Sequence, residues 1–187
     1  MPAPPALPVD HWHRWYRDGK NFSPVTDEEL ALFTDHLGAA DGRRLLDVGC
    51  GTGEYARALH EQGFHVTGID FAPSAIALAR ERHGGREGLS FHQHDIDQGI
   101  SGLPRAGYDV ITARLAYAFL NRPRLRAAAR LLLSPGGHLV LTTPLAERLP
   151  AHRRTIGITQ HDAEVLVRTW YAVYYDLGTL RVFVLRR

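Results

Sequence analysis

The sequence predicts an α/β fold: a doubly wound, mostly parallel seven-stranded sheet that ends in an antiparallel hairpin and carries helices on both faces. Short apolar runs alternate with helical patterns of about ten residues, which is typical of parallel strands joined by right-handed crossovers. Most helical patterns are closed by glycine or by a Pro-Gly turn. The last two strand-like runs are separated by residues 176–179 alone, a gap too short for a parallel crossover.

The sequence predicts a boundary between an N-terminal segment and the domain after residue 9. Residues 1–9 are rich in proline and predict a disordered start, whereas residues 10–187 predict a single domain. The stretch Thr26-Asp27-Glu28-Glu29 predicts a helix that begins with a capping box, in which the Glu29 side chain reaches back, and that ends at Gly38. An aromatic cluster precedes this helix and consists of Trp12, Trp15, Tyr16 and Phe22.

The remaining elements follow in chain order. The predicted strands are Leu45–Val48, His65–Ile69, Leu89–His94, Tyr108–Ala113 and His138–Thr143, and then the hairpin strands Trp170–Tyr175 and Leu180–Leu185. The predicted helices are Glu54–Gln62, Ser74–Arg82, Arg122–Leu133 and a last one from Thr159 to about Thr169. A turn over Ser134-Pro135-Gly136-Gly137 is expected before the fifth strand.

The composition argues against several classes of protein. The 187 residues carry a net charge of +2, which gives no sign of the concentrated basic face of a nucleic-acid binder. A single cysteine, Cys50, excludes an internal disulfide and favours a reducing compartment, so we expect a cytoplasmic protein. No stretch approaches the roughly 18 apolar residues of a membrane span, and the N-terminus does not read as a signal peptide.

The most informative stretch is the turn after the first strand. Gly49, Gly51 and Gly53 stand at every second position there, just before the helix that begins at Glu54. Glycine lets the backbone turn sharply and approach a ligand, and a turn of this kind is where open α/β sheets bind nucleotides. The dinucleotide pattern G-x-G-x-x-G places its third glycine one residue later. In addition, Asp47 stands two residues ahead of the first glycine.

The stretch Asp47-Val48-Gly49-Cys50-Gly51-Thr52-Gly53 resembles the cofactor-binding loop of the class I S-adenosylmethionine-dependent methyltransferases. The resemblance extends over about residues 40–187. It implies a cofactor-binding core over residues 44–143 and a helical lid over residues 10–38. It also implies that the chain transfers a methyl group from S-adenosylmethionine to an oxygen, nitrogen or sulfur atom of a small molecule, by in-line displacement.

The resemblance assigns roles along the cofactor. Asp70 would accept hydrogen bonds from the ribose hydroxyls, and Phe71 would cover a face of adenine. Asp95 would accept from the adenine amine, the N–H of Ile96 would meet a ring nitrogen, and Arg114 would lie beneath the methionine part. The expected cofactor residues are Asp47, Gly49, Cys50, Gly51, Gly53, Asp70, Phe71, Asp95, Ile96 and Arg114.

The acceptor side is less defined by the sequence. A lid would bring Trp12, Trp15, Tyr16 and Phe22 to the substrate, although the same side chains also suit a helix packed on the sheet edge. The catalytic residues are unknown, and the candidate bases are His11, His13, His138, His152, His161 and Tyr117. His138 ranks last because it begins its strand, away from the carboxyl-end crevice.

The length of the chain and one departure from the family pattern limit the kinds of methyl acceptor that we expect. Outside the core, the N-terminal segment and residues 144–158 are spare, which favours a small molecule over a macromolecule. Family members that methylate amide nitrogens or the exocyclic amines of bases carry Asn/Asp-Pro-Pro-Tyr/Phe after the fourth strand. This chain has Thr112-Ala113-Arg114-Leu115 there, which argues against methylation of exocyclic base amines.

Two other patterns admit more than one interpretation. His92 and His94 share a strand face with Asp97 nearby, but no third ligand is evident and we expect no metal. Three arginines at helical spacing suit either a phosphate-binding stripe or, more simply, a solvated outer face; they are Arg122, Arg126 and Arg130.

Two alternative functions stay open at this point. One is a methyltransferase-like protein that binds the cofactor without transferring a methyl group, and the other is a dinucleotide-dependent oxidoreductase. For partners, we expect a small-molecule substrate, neither nucleic acid nor membrane, and a monomer or a homodimer.

Overall fold

The computed structural model describes residues 9–20 and 22–187, and the side chain of Val9 is not described. The disorder expected for residues 1–9 therefore lies outside the described residues, except that the first helix already begins at Val9. The helices are α1 Val9–Arg17, α2 Asp27–Leu37, α3 Glu54–Glu61, α4 Pro73–His83, α5 Arg122–Leu132 and α6 Gln160–Thr169. The strands are β1 Arg44–Val48, β2 His65–Asp70, β3 Leu89–Gln93, β4 Tyr108–Arg114, β5 Leu133–Pro144, β6 Tyr171–Leu177 and β7 Leu180–Arg186.

All seven strands form one sheet in the order β3-β2-β1-β4-β5-β7-β6. The first five strands are parallel, and β7 pairs antiparallel with both β5 and β6. The chain moves outward from β1 to β3 and then returns to β4 on the other side of β1, so the strand order reverses between β1 and β4. This topology confirms the predicted doubly wound sheet and its terminal hairpin.

Consecutive residues of the central strands face opposite sides of the sheet and enter two separate cores. Leu45 packs with Phe33 and Leu59, from α2 and α3. Its neighbour Leu46 belongs to the core that contains Leu125 of α5, and Leu166 of α6 lies in the same core. Because side chains alternate along a strand, near-continuous apolar strands of this kind require helices on both faces. The prediction of two covered faces is thereby confirmed.

The fifth strand differs from its prediction. Leu133 pairs with Tyr108 and His138 pairs with Val110, so the predicted turn Ser134–Gly137 is a bulge within β5, and α5 ends at Leu132. The Asp109 carboxylate accepts hydrogen bonds from the Ser134 hydroxyl at 3.0 Å and from the Arg44 N–H at 2.9 Å. This contact between strands holds the bulge in the sheet, and a local turn pattern does not reveal it.

The three arginines of the α5 stripe all bind neighbouring elements; Arg130 is exposed, as expected for a solvated face, whereas Arg122 and Arg126 are half-buried. Arg122 forms an ion pair with Asp162 at 2.5 Å, and its side chain is 12% exposed. Arg126 donates to the Tyr117 hydroxyl at 3.2 Å. Arg130 donates to the Thr169 carbonyl at 2.9 Å. Because these partners lie on α6 and in the loop after β4, the stripe fixes α5 against its surroundings.

The segment after β5 contains two short 3-10 helices, Ala146–Arg148 and Ala151–Ile156, which the sequence did not predict. A bridge between Leu145 and Ile158 closes the segment into a loop. None of the helices in the described part of the chain combines the length and the apolar character that crossing a bilayer requires.

Candidate functional site

A cavity of about 220 Å³ lies at the carboxyl ends of the parallel strands. Its wall comes from the ends of β1, β2 and β4, from the segment after β3 and from α1. Ligands of open α/β sheets bind at this edge, where the strand order reverses. Six of the ten expected cofactor residues line the cavity: Gly49, Asp70, Phe71, Asp95, Ile96 and Arg114. The other four belong to β1 and the adjoining glycine loop, outside the wall: Asp47, Cys50, Gly51 and Gly53.

The glycine loop joins β1 to α3 in a conformation that other residues rarely adopt. Gly49, Gly51 and Gly53 have φ angles of +72°, +54° and +89°. A Cβ atom added to Gly49 would lie 2.6 Å from the Cβ of Ala116. One added to Gly53 would lie 2.8 Å from the Phe91 ring. The three glycines are therefore required both by the backbone and by the close packing around it.

Asp70, at the end of β2, holds this loop against the sheet. Its Oδ2 accepts from the Gly51 N–H at 3.0 Å, and its Oδ1 accepts from the Ala72 N–H at 2.9 Å. Burial raises the pKa of the Asp70 carboxyl, while these backbone hydrogen bonds act in the opposite direction. Asp70 also lines the cavity, so one carboxylate both fixes the loop and faces the ligand space.

Asp47 is buried beside the loop, near the carboxyl end of β1, with an exposed fraction of 1%. Its Oδ1 accepts from the Thr112 hydroxyl at 2.8 Å, and its Oδ2 has no hydrogen-bond partner among the described residues. Burial raises the pKa of Asp47 to about 7. A buried carboxylate oxygen without a donor is costly, and a nearby cation lowers that cost.

We expect Asp47 to make the stability of the chain depend on pH. Its pKa rises from 3.8 to about 7, so between these values the folded chain holds a proton that the unfolded chain has released. The resulting stabilisation is fully present below about pH 4 and is lost as the pH rises to about 7, by up to about 1.4 kcal/mol per pH unit.

The measurement is the free energy of unfolding in urea between about pH 5 and pH 8, for the wild type and for Asp47→Asn. The wild type should lose stability relative to this variant as the pH rises. Two curves that stay parallel over this range would contradict the assignment of a raised pKa to Asp47.

The segment after β3 forms the opposite wall of the cavity. The Asp95 carboxylate accepts from the Asp97 N–H at 3.0 Å and so caps a short 3-10 helix, Ile96–Gln98. The Asp97 carboxylate accepts from the Asn121 N–H, at 2.9 Å to its nearer oxygen, and thereby ties this wall to the start of α5. His94 Nε2 lies 2.9 Å from the Gly99 carbonyl oxygen. His94 and Asp97, considered above as a metal-binding pattern with His92, thus have other partners.

Arg114 lines the cavity, but its guanidinium binds the N-terminal segment. Nε and Nη2 donate to the two carboxylate oxygens of Glu29, at 2.8 and 3.0 Å. Nη1 donates to the Ser23 carbonyl at 2.8 Å, and Nη2 donates to the Pro24 carbonyl at 3.0 Å. Glu29 is 1% exposed, so this ion pair is buried. The position of Arg114 at the cavity is as expected, but its guanidinium anchors Ser23, Pro24 and Glu29 of the N-terminal segment.

Aromatic side chains from the N-terminal segment form the roof of the cavity. Trp12, Tyr16 and Phe22 line it, whereas Trp15 packs behind them without lining it. Trp12 meets Phe119 edge-on, with the ring centroids 5.0 Å apart. The Ser74 hydroxyl, at the start of α4, donates to the His13 carbonyl at 3.0 Å and attaches α1 to the rest of the domain.

None of the six candidate bases lines the cavity. Tyr117 is completely buried and accepts from Arg126. His138 lies at the bulge end of β5, opposite the site, as expected. Within the described residues, no three His, Cys, Asp or Glu side chains gather as metal ligands.

Four residues of the loop after β4 line the cavity, and the sequence pointed only to Leu115, beside Arg114; the other three are Ala116, Phe119 and Leu120. Phe119 contributes to the roof, and Leu115, predicted as part of the loop, has a φ of +56°, which is unusual for a non-glycine residue. The Leu115 N–H donates to the Thr142 carbonyl at 2.7 Å, which holds the strained residue in place. Backbone strain of this kind is common at ligand sites. The apolar composition of this loop was the sequence feature that could have indicated its place in the cavity wall.

The strand order reverses at the site, a glycine loop precedes α3, and acidic residues stand at successive strand ends. These features are typical of an α/β domain that binds a nucleotide cofactor. The family model described as "Methyltransferase domain" matches residues 21–183. The chain belongs to this family, and its cofactor is S-adenosylmethionine. Membership of a transferase family contradicts the dinucleotide-dependent oxidoreductase alternative.

Curated relatives are similar over part of their length. The ubiquinone biosynthesis O-methyltransferase of Marinobacter nauticus is 34% identical over 137 residues, which cover 70% of this chain and 57% of the relative. The enzyme of the same name from Nitrosococcus oceani is 35% identical over 136 residues, again covering 57% of the relative. This chain therefore spans a little over half the length of these proteins.

Solved structures share the fold at low sequence identity. A SAM-dependent methyltransferase from Aquifex aeolicus superposes with a TM-score of 0.75 at 16% identity, covering 96% of this chain and 98% of the other. A phosphoethanolamine N-methyltransferase 2 from Haemonchus contortus, in complex with S-adenosyl-L-methionine, gives a TM-score of 0.67 at 20% identity. That match covers 91% of this chain and 44% of the other.

The residues present fit the chemistry of the cofactor. S-adenosylmethionine carries an adenosine group, a sulfonium, an ammonium and a carboxylate. The carboxyl groups of Asp47 and Asp70 lie at and beside the glycine loop, where they suit cationic and hydroxyl donors. Phe71 and Ile96 add apolar wall for a flat base.

Proposed function

We propose that this domain transfers the methyl group of S-adenosylmethionine to an oxygen, nitrogen or sulfur atom of a small, largely apolar and aromatic acceptor. The observation that carries the proposal is the aromatic roof formed by Trp12, Phe22 and Phe119 above strand ends that hold the glycine loop and Asp70. Aromatic walls bury flat apolar molecules effectively and favour stacked or edge-on contacts. The similar curated proteins are O-methyltransferases, which favours oxygen as the acceptor atom.

The proposed cofactor contacts follow the chain along the cavity. Asp70 accepts from the ribose hydroxyls, and Asp95 with Ile96 binds the adenine edge beside Phe71. Asp47 balances the positive charge of the amino acid end from beside the loop. These roles are supported by the positions of the carboxylates and of the loop.

When bound, S-adenosylmethionine supplies a methyl group that the positive sulfur already activates. The chain therefore contributes mainly by aligning the reactants and by excluding water. The aromatic roof suits the second task, and the apolar side chains of Leu115 and Phe119 narrow the space in which an acceptor can lie. The N-terminal segment acts as a lid in this proposal, because its side chains Trp12, Tyr16 and Phe22 cover the cavity.

The test is a methyl-transfer assay with labelled S-adenosylmethionine and matched acceptors that share a ring and differ in the nucleophile: catechol, aniline and thiophenol. We expect a labelled methylated product, most readily from catechol. Binding of S-adenosylhomocysteine is measured in parallel by calorimetry. Cofactor binding without transfer to any acceptor of the panel would favour the non-methylating alternative.

The setting belongs to the same proposal. The chain has a single cysteine, Cys50, and therefore no internal disulfide, which supports a reducing, cytoplasmic compartment. We propose that the domain acts on its small molecule as a monomer or a homodimer, without a nucleic-acid or membrane partner. Size-exclusion chromatography with light scattering measures the oligomeric state.

A further inference from the structure

Tyr16 reaches from the lid helix to the glycine loop. Its side chain lies on α1 and is 4% exposed. A Cβ atom added to Gly51 would lie 3.0 Å from the Tyr16 hydroxyl and 3.4 Å from its ring. Tyr16 also lines the cavity. A polar atom of the lid is therefore placed at the point where the loop meets the ligand space.

The ionisable side chains that act on this hydroxyl are acidic groups. Asp70, Glu54 and Asp47 all act electrostatically on Tyr16. Carboxylates suit the ammonium of the cofactor's amino acid end, but the α-carboxylate beside it needs hydrogen-bond donors. Among the described residues that line the cavity, Arg114 is the one arginine or lysine, and its guanidinium already binds Glu29 and two backbone carbonyls. The Gly51 N–H is likewise bound to Asp70.

We propose that the Tyr16 hydroxyl donates a hydrogen bond to the α-carboxylate of S-adenosylmethionine and so links closure of the lid to recognition of the cofactor's amino acid end. The inference rests on the cofactor site proposed above. It adds a hydrogen-bond donor from α1, outside the glycine loop and the acidic strand ends. Burial and the surrounding carboxylates raise the pKa of Tyr16 well above its ordinary value, so the hydroxyl keeps its proton as a donor.

The test compares two ligands that differ in the α-carboxylate. S-adenosylhomocysteine carries it, and its decarboxylated analogue S-adenosyl-3-thiopropylamine keeps the amine without it. Calorimetry measures the affinity of both ligands for the wild type and for Tyr16→Phe, which removes the hydroxyl and keeps the ring. Loss of a hydrogen bond to a charged group should weaken S-adenosylhomocysteine about tenfold to a hundredfold. The affinity of the amine analogue should change less than about twofold, because that ligand never makes the bond.

A matched control is Tyr108→Phe, which removes the hydroxyl of another buried tyrosine at the start of β4, far from the carboxyl-end cavity. It should leave both affinities unchanged. Thermal unfolding of each variant verifies that the fold is kept.

The outcomes distinguish failure of the role of Tyr16 from failure of the cofactor site. Equal weakening of both ligands by Tyr16→Phe would show that the hydroxyl acts through the lid or through a group that both ligands carry, and not through the α-carboxylate, which overturns the inference. No weakening of either ligand would overturn it as well. Failure of the wild type to bind S-adenosylhomocysteine at all would instead refute the cofactor site, and with it the role of Tyr16.

Discussion

Gly51→Val is expected to abolish cofactor binding, with the affinity for S-adenosylhomocysteine falling by more than about a hundredfold. Gly51 has a φ of +54°, a conformation in which a β-branched residue is strongly disfavoured. Its added side chain would meet Tyr16 at 3.0 Å and would fill space at the edge of the ligand site. The substitution therefore changes both the loop conformation and the space that the ligand needs.

The control separates backbone strain from the effect on the site. Gly178 has a similar φ of +60°, lies in the hairpin turn between β6 and β7, and has no atom within 4 Å of an added Cβ. Gly178→Val imposes comparable strain far from the cavity, so it should lower the stability and leave binding unchanged. Calorimetry gives the affinities, and urea unfolding shows that both variants are folded. A folded Gly51→Val variant with wild-type affinity would show that the loop does not approach the ligand.

The fold could be predicted almost completely because its signals are local. The short gap between the last two strands required a hairpin, and Gly178 occupies its turn with a positive φ. Thr159 and Asp162 form the complete capping box of α6, since each side chain accepts the other residue's N–H. Such patterns need only a few neighbouring residues, so the sequence alone reveals them.

Where the prediction was wrong, a contact distant in sequence had replaced a local one. Thr26 caps α2 as expected and accepts from the Glu29 N–H at 3.2 Å. The Glu29 side chain, however, does not reach back to the cap, because Arg114 binds both of its oxygens from 85 residues away. In the same way, Asp109 holds the bulge of β5 through Ser134. Neither partner can be identified from local spacing.

Local sequence patterns also predicted one part of the candidate site and not the other. The glycine loop and the acids at the strand ends follow from local patterns, and the strand order brings them to one edge of the sheet. The roof does not follow from them, because it depends on how α1 docks against α4 and against the loop that carries Phe119. Arg114 is the clearest example: the sequence predicted its position at the end of the fourth strand but not its ion pair with Glu29.

Glu29→Gln is expected to destabilise the domain by about 3–5 kcal/mol, because it leaves the charge of Arg114 buried without its counterion. The exposed fractions of the two side chains are 9% for Arg114 and 2% for Glu29, so water screens the pair little. Urea unfolding of the variant measures the loss. Glu164→Gln provides a matched control, since its ion pair with Arg168 is exposed and should contribute less than about 1 kcal/mol.

A double variant decides whether the loss comes from the unpaired charge. Replacing both partners with apolar residues, as Glu29→Leu with Arg114→Met, removes the buried charge and should recover most of the stability. If the double variant is as unstable as Glu29→Gln, the hydrogen bonds from Arg114 to Ser23 and Pro24 stabilise the segment and the ion pair does not.

The same pair should also control the lid. Ser23 and Pro24 directly follow Phe22, which lines the cavity roof, and Glu29 holds the Arg114 guanidinium that binds their carbonyls. Loss of the ion pair should therefore loosen the roof at its base. We expect S-adenosylhomocysteine to dissociate faster from Glu29→Gln, while its association rate changes little, as is usual for closely related complexes. Stopped-flow fluorescence in a Trp170→Phe background follows Trp12 and Trp15 of the lid, because the chain has three tryptophans in all. An unchanged dissociation rate would mean that Arg114 and Glu29 stabilise the domain without holding the lid over the cofactor.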